Sequence, residues 1–167
     1  MVIRRTQEEL TNIPRTPVVV VLDNIRSALN VGAIFRTCDA ILAEKLYLCG
    51  ITAYPPHNKI PKTSLGATDV VPWEYDKSTV KVVKHLKEQG FNIVCTEITE
   101  ESIIYTNHYF QKPTAIVVGH EIHGITKEVL DIADTVIELP MLGRAQSLNV
   151  ATATGIVLYE MLRQWGN

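Results

Sequence analysis

Apolar positions along this chain change period, from continuous runs to helical spacing and back. Residues 18–22, Val-Val-Val-Val-Leu, form an unbroken β-branched run, the mark of a strand buried on both faces. Over residues 30–41, Val31, Ile34, Phe35, Cys38 and Ile41 fall at helical spacing. Asn30 is a natural N-cap for that helix, and Arg36 points off its buried stripe. Residues 45–49 predict a second strand, ended by Gly50. Pro55, Pro56 and Pro61 exclude regular structure over residues 52–63, so this segment is an exposed loop with Tyr54, His57 and Lys59 at its tip. Residues 64–67 can start a short helix. Residues 70–73 predict a third strand, at an edge because of Pro72.

Farther on, an amphipathic helix over residues 80–89 carries Lys81, Lys84 and Lys87 outward and closes at Gly90. Residues 91–96, 114–118 and 135–139 predict three more strands. Between them lie a loop with Glu97, Glu100 and Glu101, a turn over residues 119–124, and a short helix capped by Thr126. The last helix runs over residues 148–165 and buries Val150, Thr154, Val157, Leu158, Met161 and Leu162. Ser147 reads as its N-cap, or as the residue beside the cap. Residues 1–16 form an N-terminal arm, in which Thr11 and Pro14 break any helix begun at Glu8. Strands alternate with helices, so the class is α/β with a largely parallel sheet, in one domain over residues 17–167.

The totals narrow the picture. A chain of 167 residues, 46% hydrophobic and 20% charged, suits one globular domain with a real core. Its longest apolar run is far too short to span a bilayer, and its first residues lack the apolar centre of a secretory signal. Cys38, Cys49 and Cys95, odd in number and set in apolar contexts, read as reduced core residues. A cytoplasmic protein is therefore expected. The net charge of −2 makes no global electrostatic case for nucleic acid. Locally, however, Arg4, Arg5, Arg15, Arg26 and Arg36 outnumber the nearby acids.

Several chemistries drop out. The zincin pattern needs two histidines four apart on a helix, whereas His120 and His123 are three apart in a Gly-bounded turn with no third ligand, so no metal is expected. There is no Gly-x-x-x-x-Gly-Lys segment, no Gly-x-Gly-x-x-Gly after the first strand, and no Gly-x-Ser-x-Gly elbow. Loops after buried strands remain, at Val118-Gly119, at Leu139-Pro140 and after Thr96. They are either tight turns or main-chain cradles for a flat polar ligand such as an adenine.

Three motifs carry a resemblance. They are Asn30-x-Gly32-Ala33-Ile34-x-Arg36-Thr37, Val118-Gly119-x-Glu121-x-x-Gly124-Ile125, and Leu139-Pro140-Met141-x-Gly143-x-x-x-Ser147-Leu148-Asn149-Val150. A weaker element is Ser64-x-Gly66-Ala67. In this order, over residues 17–165, they resemble the RNA 2′-O-ribose methyltransferases of the SpoU/TrmH family in the SPOUT superfamily. The resemblance implies a mostly parallel sheet flanked by helices, with a C-terminal deep trefoil knot, an exception to the rule that chains do not thread. It also implies S-adenosyl-L-methionine bound in the knot, and an obligate homodimer with active sites at the interface. Asn30, Arg36, Glu121, Ser147 and Asn149 would be catalytic. Thr96, Gly119, Glu121, Leu139, Met141, Ser147 and Leu148 would hold the cofactor, in part through main-chain groups.

A guanidinium is almost always protonated, so Arg36 is expected to hold an RNA phosphate and stabilise the developing alkoxide, leaving the proton acceptor open. Relatives often add an RNA-binding domain or basic extensions; none is expected here. RNA recognition then falls to the dimer surface, including Arg4, Arg5, Arg15, Arg26, Lys59, Lys62 and Arg144. The RNA is tRNA or ribosomal RNA. The chain is as short as the wobble-position tRNA enzymes, but Ala33 and Ile34 after Gly32 look more like the ribosomal and D-loop guanosine enzymes. The rivals are a non-catalytic RNA- or nucleotide-binding α/β module on the same scaffold, and a methyltransferase of small molecules or protein.

Overall fold

The computed structural model describes residues 2–166; Met1 and Asn167, the outermost residues of the expected arm and domain, lie outside the described residues. The first regular element is one the sequence pattern discounted. Thr6 and Glu9 form a capping box, each side chain bonded to the other's backbone N–H, and this starts helix α1 (Gln7–Asn12) inside the expected arm. The valine run then becomes strand β1 (Thr16–Asp23), buried from Val18 onward. Val18, Val20 and Leu22 pack into one core and Val19 and Val21 into another, as the two-residue period of a strand requires.

Helix α2 (Ala28–Ala40), strand β2 (Ala43–Cys49) and the one-turn helix α3 (Pro61–Ser64) follow. Ser27, not Asn30, caps α2: its Oγ accepts the Asn30 N–H at 3.3 Å, which places Asn30 in the first turn. Strand β3 (Trp73–Asp76) lies just after Pro72 rather than across it, and it is an edge strand as expected. Helix α4 (Thr79–Glu88) leads to strand β4 (Asn92–Thr96). The acidic loop beyond it contains an unanticipated two-residue strand, β5 (Ile103–Ile104). Strand β6 (Thr114–Gly119), helix α5 (Lys127–Ile132), strand β7 (Thr135–Glu138) and helix α6 (Val150–Trp165) complete the order.

Among the described residues the seven strands are all parallel, in the order β3-β2-β1-β6-β4-β7-β5. Helices α2 and α6 cover one face, packing against each other, and α4 and α5 cover the other. Gly32 sits where α2 meets α3: a Cβ there would collide with Thr63 Oγ1 and the Ile60 carbonyl. Cys38, Cys49 and Cys95 are free and buried, and burial pushes each thiol up to about 12.

Two polar clusters hold the layers. Asp23, fully buried at the end of β1, accepts from Thr79 Oγ1 (2.6 Å), Asn24 Nδ2 (3.1 Å), and both the N–H and the hydroxyl of Thr126 (2.8 Å each). It therefore anchors the starts of α4 and α5 to β1. Thr126 stands at the N-cap position as expected, but its side chain serves Asp23 instead of the helix. At the far end of α6, Gln164 donates to the His108 carbonyl and accepts the Phe110 N–H, while Trp165 Nε1 donates to the Phe110 carbonyl. Among the described residues no helix is long and apolar enough to cross a membrane.

Candidate active site

In parallel sheets, ligands collect outside the carboxyl ends of the strands. Here the ends of β4, β6 and β7 open into a cavity of about 720 Å³. Thr96 and Glu97 line it from β4, Val118 and Gly119 from β6, and Glu138 and Leu139 from β7. Met141, the segment from Gln146 to Asn149, and Val150 and Ala153 of α6 close the other side. Gly119 is required by a close approach: a Cβ there would strike the backbone of Gly124 and Ile125, where the chain doubles back. His120 and Gly124 exchange backbone hydrogen bonds and shape that return.

The register of the sheet builds the polar centre. Asp23 of β1 pairs with Gly119 of β6, so the residues just beyond each strand meet. Two residues after Gly119, Glu121 reaches the start of α2. Its Oε2 accepts the Arg26 N–H at 3.0 Å, and its Oε1 accepts the Ser27 N–H at 3.0 Å and Asn30 Nδ2 at 3.2 Å. A carboxylate there satisfies free amides and faces the positive end of the helix dipole. Burial pushes the Glu121 carboxyl up, but its hydrogen bonds from Arg26, Ser27 and Asn30 outweigh that and hold it below the usual value.

Asn30 continues the chain, because its Oδ1 accepts Asn149 Nδ2 at 3.1 Å. Asn149 Oδ1 in turn accepts the N–H groups of Ala151 and Thr152 at 2.9 and 3.2 Å. Asn149 is thus the N-cap of α6, which starts at Val150; the expected cap, Ser147, stands two residues earlier, exposed in the cavity wall. One residue from each of the three sequence motifs therefore joins a single line, Glu121–Asn30–Asn149.

The chain as a whole matches a known family. The model of the SpoU rRNA Methylase family matches residues 17–159. The chain belongs to the SpoU rRNA methylase family. It is 40% identical over 150 residues to a tRNA (guanosine(18)-2′-O)-methyltransferase of Aquifex aeolicus, covering 87% of this chain and 69% of that protein. With a Thermus thermophilus enzyme of the same name the identity is 34%, over 96% and 82% of the two chains. The crystal structure of the A. aeolicus TrmH/SpoU tRNA modifying enzyme superposes with a TM-score of 0.85 at 37% identity, covering 96% of this chain and 81% of that one. An AdoMet-bound rRNA methyltransferase from Sinorhizobium meliloti gives 0.83 at 31% identity, over 92% and 59%.

Within this SpoU chain, all the residues expected to hold the cofactor, Thr96, Gly119, Glu121, Leu139, Met141, Ser147 and Leu148, line the cavity. Arg36 does not. It is exposed on α2, six residues after Asn30, which turns it about 240° around the helix and carries it about 9 Å along it. No hydrogen bond or ion pair engages it among the described residues. Arg26, Lys59, Lys62 and Arg144 are exposed, as are Arg4 and Arg5. Arg15 is different: its guanidinium donates to the carbonyls of Leu10, Ala43 and Val70 and ties the arm to the sheet. Sequence reasoning missed Ser27, Glu97 and Glu138. Glu97 accepts the N–H groups of Ile98 and Ile125, and Glu138 accepts from the Ser102 hydroxyl. Among the described residues no group of three His, Cys, Asp or Glu could hold a metal ion.

Proposed function

We propose that this chain transfers the methyl group of S-adenosyl-L-methionine to the 2′-hydroxyl of a guanosine ribose in tRNA or ribosomal RNA, working in the cytoplasm as a homodimer. The observation that carries this is the Glu121–Asn30–Asn149 line at the lip of a cavity formed by strand ends. Family membership supports the chemistry, and the relatives named for guanosine 18 of tRNA support the nucleotide. A homologue named for 23S rRNA, from Ralstonia nicotianae at 29% identity, keeps ribosomal RNA in view. The same membership supports a catalytic domain over residues 17–167 preceded by an arm, and a deep trefoil knot in which the loop over residues 139–150 walls the cofactor cleft and the threaded part runs through Asn149 and the helix beyond.

The cavity fits the cofactor. Thr96 Oγ1 is buried there with no partner, and Gly119 lines the cavity with main chain alone. When bound, S-adenosyl-L-methionine supplies an electrophilic methyl on a sulfonium. The protein must place a ribose hydroxyl in line with it and stabilise the charge left when the hydroxyl proton departs. Asn30 is oriented for this by bonds at both ends of its amide, and each end keeps a second hydrogen or lone pair free. Ser147, exposed in the cavity wall, adds a hydroxyl that can donate or accept. Arg36 supplies fixed positive charge for a phosphate and the developing alkoxide. Since Arg36 lies off the cavity of its own chain, it would serve the partner's site. Leu29 and Tyr159, large exposed apolar side chains on the paired helices α2 and α6, supply a surface for that dimer.

The test is incubation of the protein with labelled S-adenosyl-L-methionine and total RNA from a strain lacking the gene. Label at one guanosine 2′-oxygen is expected. Cofactor binding without transfer to any RNA would favour a non-catalytic module, and label outside the RNA fraction would favour another substrate class.

A further inference from the structure

The turn bearing Glu121 has a second feature that neither the cavity nor the Asn30 line uses. The imidazoles of His120 and His123 stack, with ring centroids 4.6 Å apart and planes inclined by 28°. His120 is held in place by its own backbone: Nδ1 accepts the N–H of Ile122 at 3.0 Å and of His123 at 3.2 Å. With Nδ1 an acceptor, the ring proton of the neutral form sits on Nε2. A metal would need nitrogen lone pairs that converge, and these rings lie face to face with one lone pair already taken. Stacking is the arrangement they favour.

The stack straddles the mouth of the cavity. His120 and Ile122 line it, whereas His123 does not and is exposed. Ile122 is itself 70% exposed, an unusual setting for an isoleucine beside a polar site. No hydrogen bond engages the His123 ring among the described residues. A fixed aromatic ring backed by a second ring, with an apolar neighbour, faces what approaches from solvent. Unpaired RNA bases are recognised by stacking on such side chains, histidine included.

We propose that the His120–His123 stack, with Ile122 beside it, is the platform on which the base of the methylated nucleotide lies. Resting on the activity proposed above, it explains how a chain with net charge −2 positions one nucleotide. Phosphate contacts hold the RNA, and the stack orients the base so that its ribose meets Asn30.

The test uses the wild-type protein, His123→Ala and His123→Phe with the RNA identified by labelling. His123→Ala is expected to raise the KM for RNA roughly tenfold or more, the usual cost of losing one stacked base. S-adenosyl-L-methionine affinity by calorimetry should stay at the wild-type value. His123→Phe, which restores a ring, should recover most of the loss. RNA carrying 2-aminopurine at the methylated position should be quenched on binding wild type and His123→Phe, but not His123→Ala. Unchanged KM and quenching in His123→Ala, with the wild type active, would overturn the platform and leave the activity standing. Failure of the wild type to label any RNA would strike the activity itself, and the platform would fall with it.

Discussion

Asn149 donates its side-chain N–H to Asn30 Oδ1 at 3.1 Å across 119 residues of sequence, while its own oxygen caps α6. One side chain thereby starts the last helix and fixes the Asn30 amide, which also bonds Glu121 of the cavity wall. The position of α6 and the orientation of Asn30 cannot vary independently.

The two roles of Asn149 separate by substitution. Asn149→Ala removes both, and loss of the cap should cost about 1 kcal/mol of stability. Asn149→Asp keeps an oxygen for the cap but loses the donor to Asn30 and sets a carboxylate against Asn30 Oδ1. It should melt near wild type yet transfer methyl at least about tenfold more slowly, equivalent to ~1.4 kcal/mol in the barrier. Thermal melts with single-turnover rates would decide, and wild-type rates in Asn149→Asp would reduce Asn149 to a cap.

Arg36→Ala should leave S-adenosyl-L-methionine affinity nearly intact, because Arg36 lines no part of its own cavity. Methyl transfer should fall by about 10²–10³-fold, as when a donor to a developing oxyanion is removed. Arg36→Lys should fall in between, since the charge remains but the planar fork does not. Parallel loss of cofactor binding by calorimetry would refute this division of labour.

What the sequence revealed follows physical range. The strand at residues 18–22 and the core stripe of α2 were legible because burial writes a local period. Helix starts were less so. Ser27 and Asn30, like Ser147 and Asn149, are equally good caps lying two or three residues apart, and propensity does not choose between them. Here the choice coincides with a tertiary contact: Asn30, inside its helix, bonds Asn149, at the cap of the other. Asp23 was invisible as an anchor because its partners, Thr79 and Thr126, lie 56 and 103 residues away. Strand β5 was missed because two isoleucines make no period at all. The motif residues were legible through family resemblance; that Glu121 reaches the segment before α2 and Asn30 depended on β1 lying beside β6.

Acid should loosen the C-terminal helix in a defined window. Hydrogen bonds from Arg163, and then from Gln164, hold the Glu160 carboxyl down to about 2 from its ordinary 4.5. A value lowered by folding means that ionised Glu160 stabilises the native state above pH 4.5, and that this is lost as pH falls towards 2. Glu121 shifts in the same direction. Arg163→Met should destabilise the protein only slightly at pH 6, because Arg163 is largely exposed. The gap from wild type should close between pH 4 and pH 2. Urea midpoints measured across that range would test it, and a gap that persists at pH 2 would exclude Glu160 as its source.

Thr96 offers a test in which stability and binding move in opposite directions. Its Oγ1 is buried without a partner in the wall of the cavity. An unmet buried hydroxyl costs about 1–3 kcal/mol, and valine has nearly the same shape without it. Thr96→Val should therefore raise the melting temperature of the ligand-free protein. If the hydroxyl is there to meet S-adenosyl-L-methionine, the same change should weaken cofactor binding by roughly tenfold, one hydrogen bond's worth. The stabilisation conferred by the cofactor should shrink to match. A lower ligand-free melting temperature would mean that Thr96 has an internal partner. A raised one with unchanged affinity would place the hydroxyl in the cavity wall but out of the cofactor's reach.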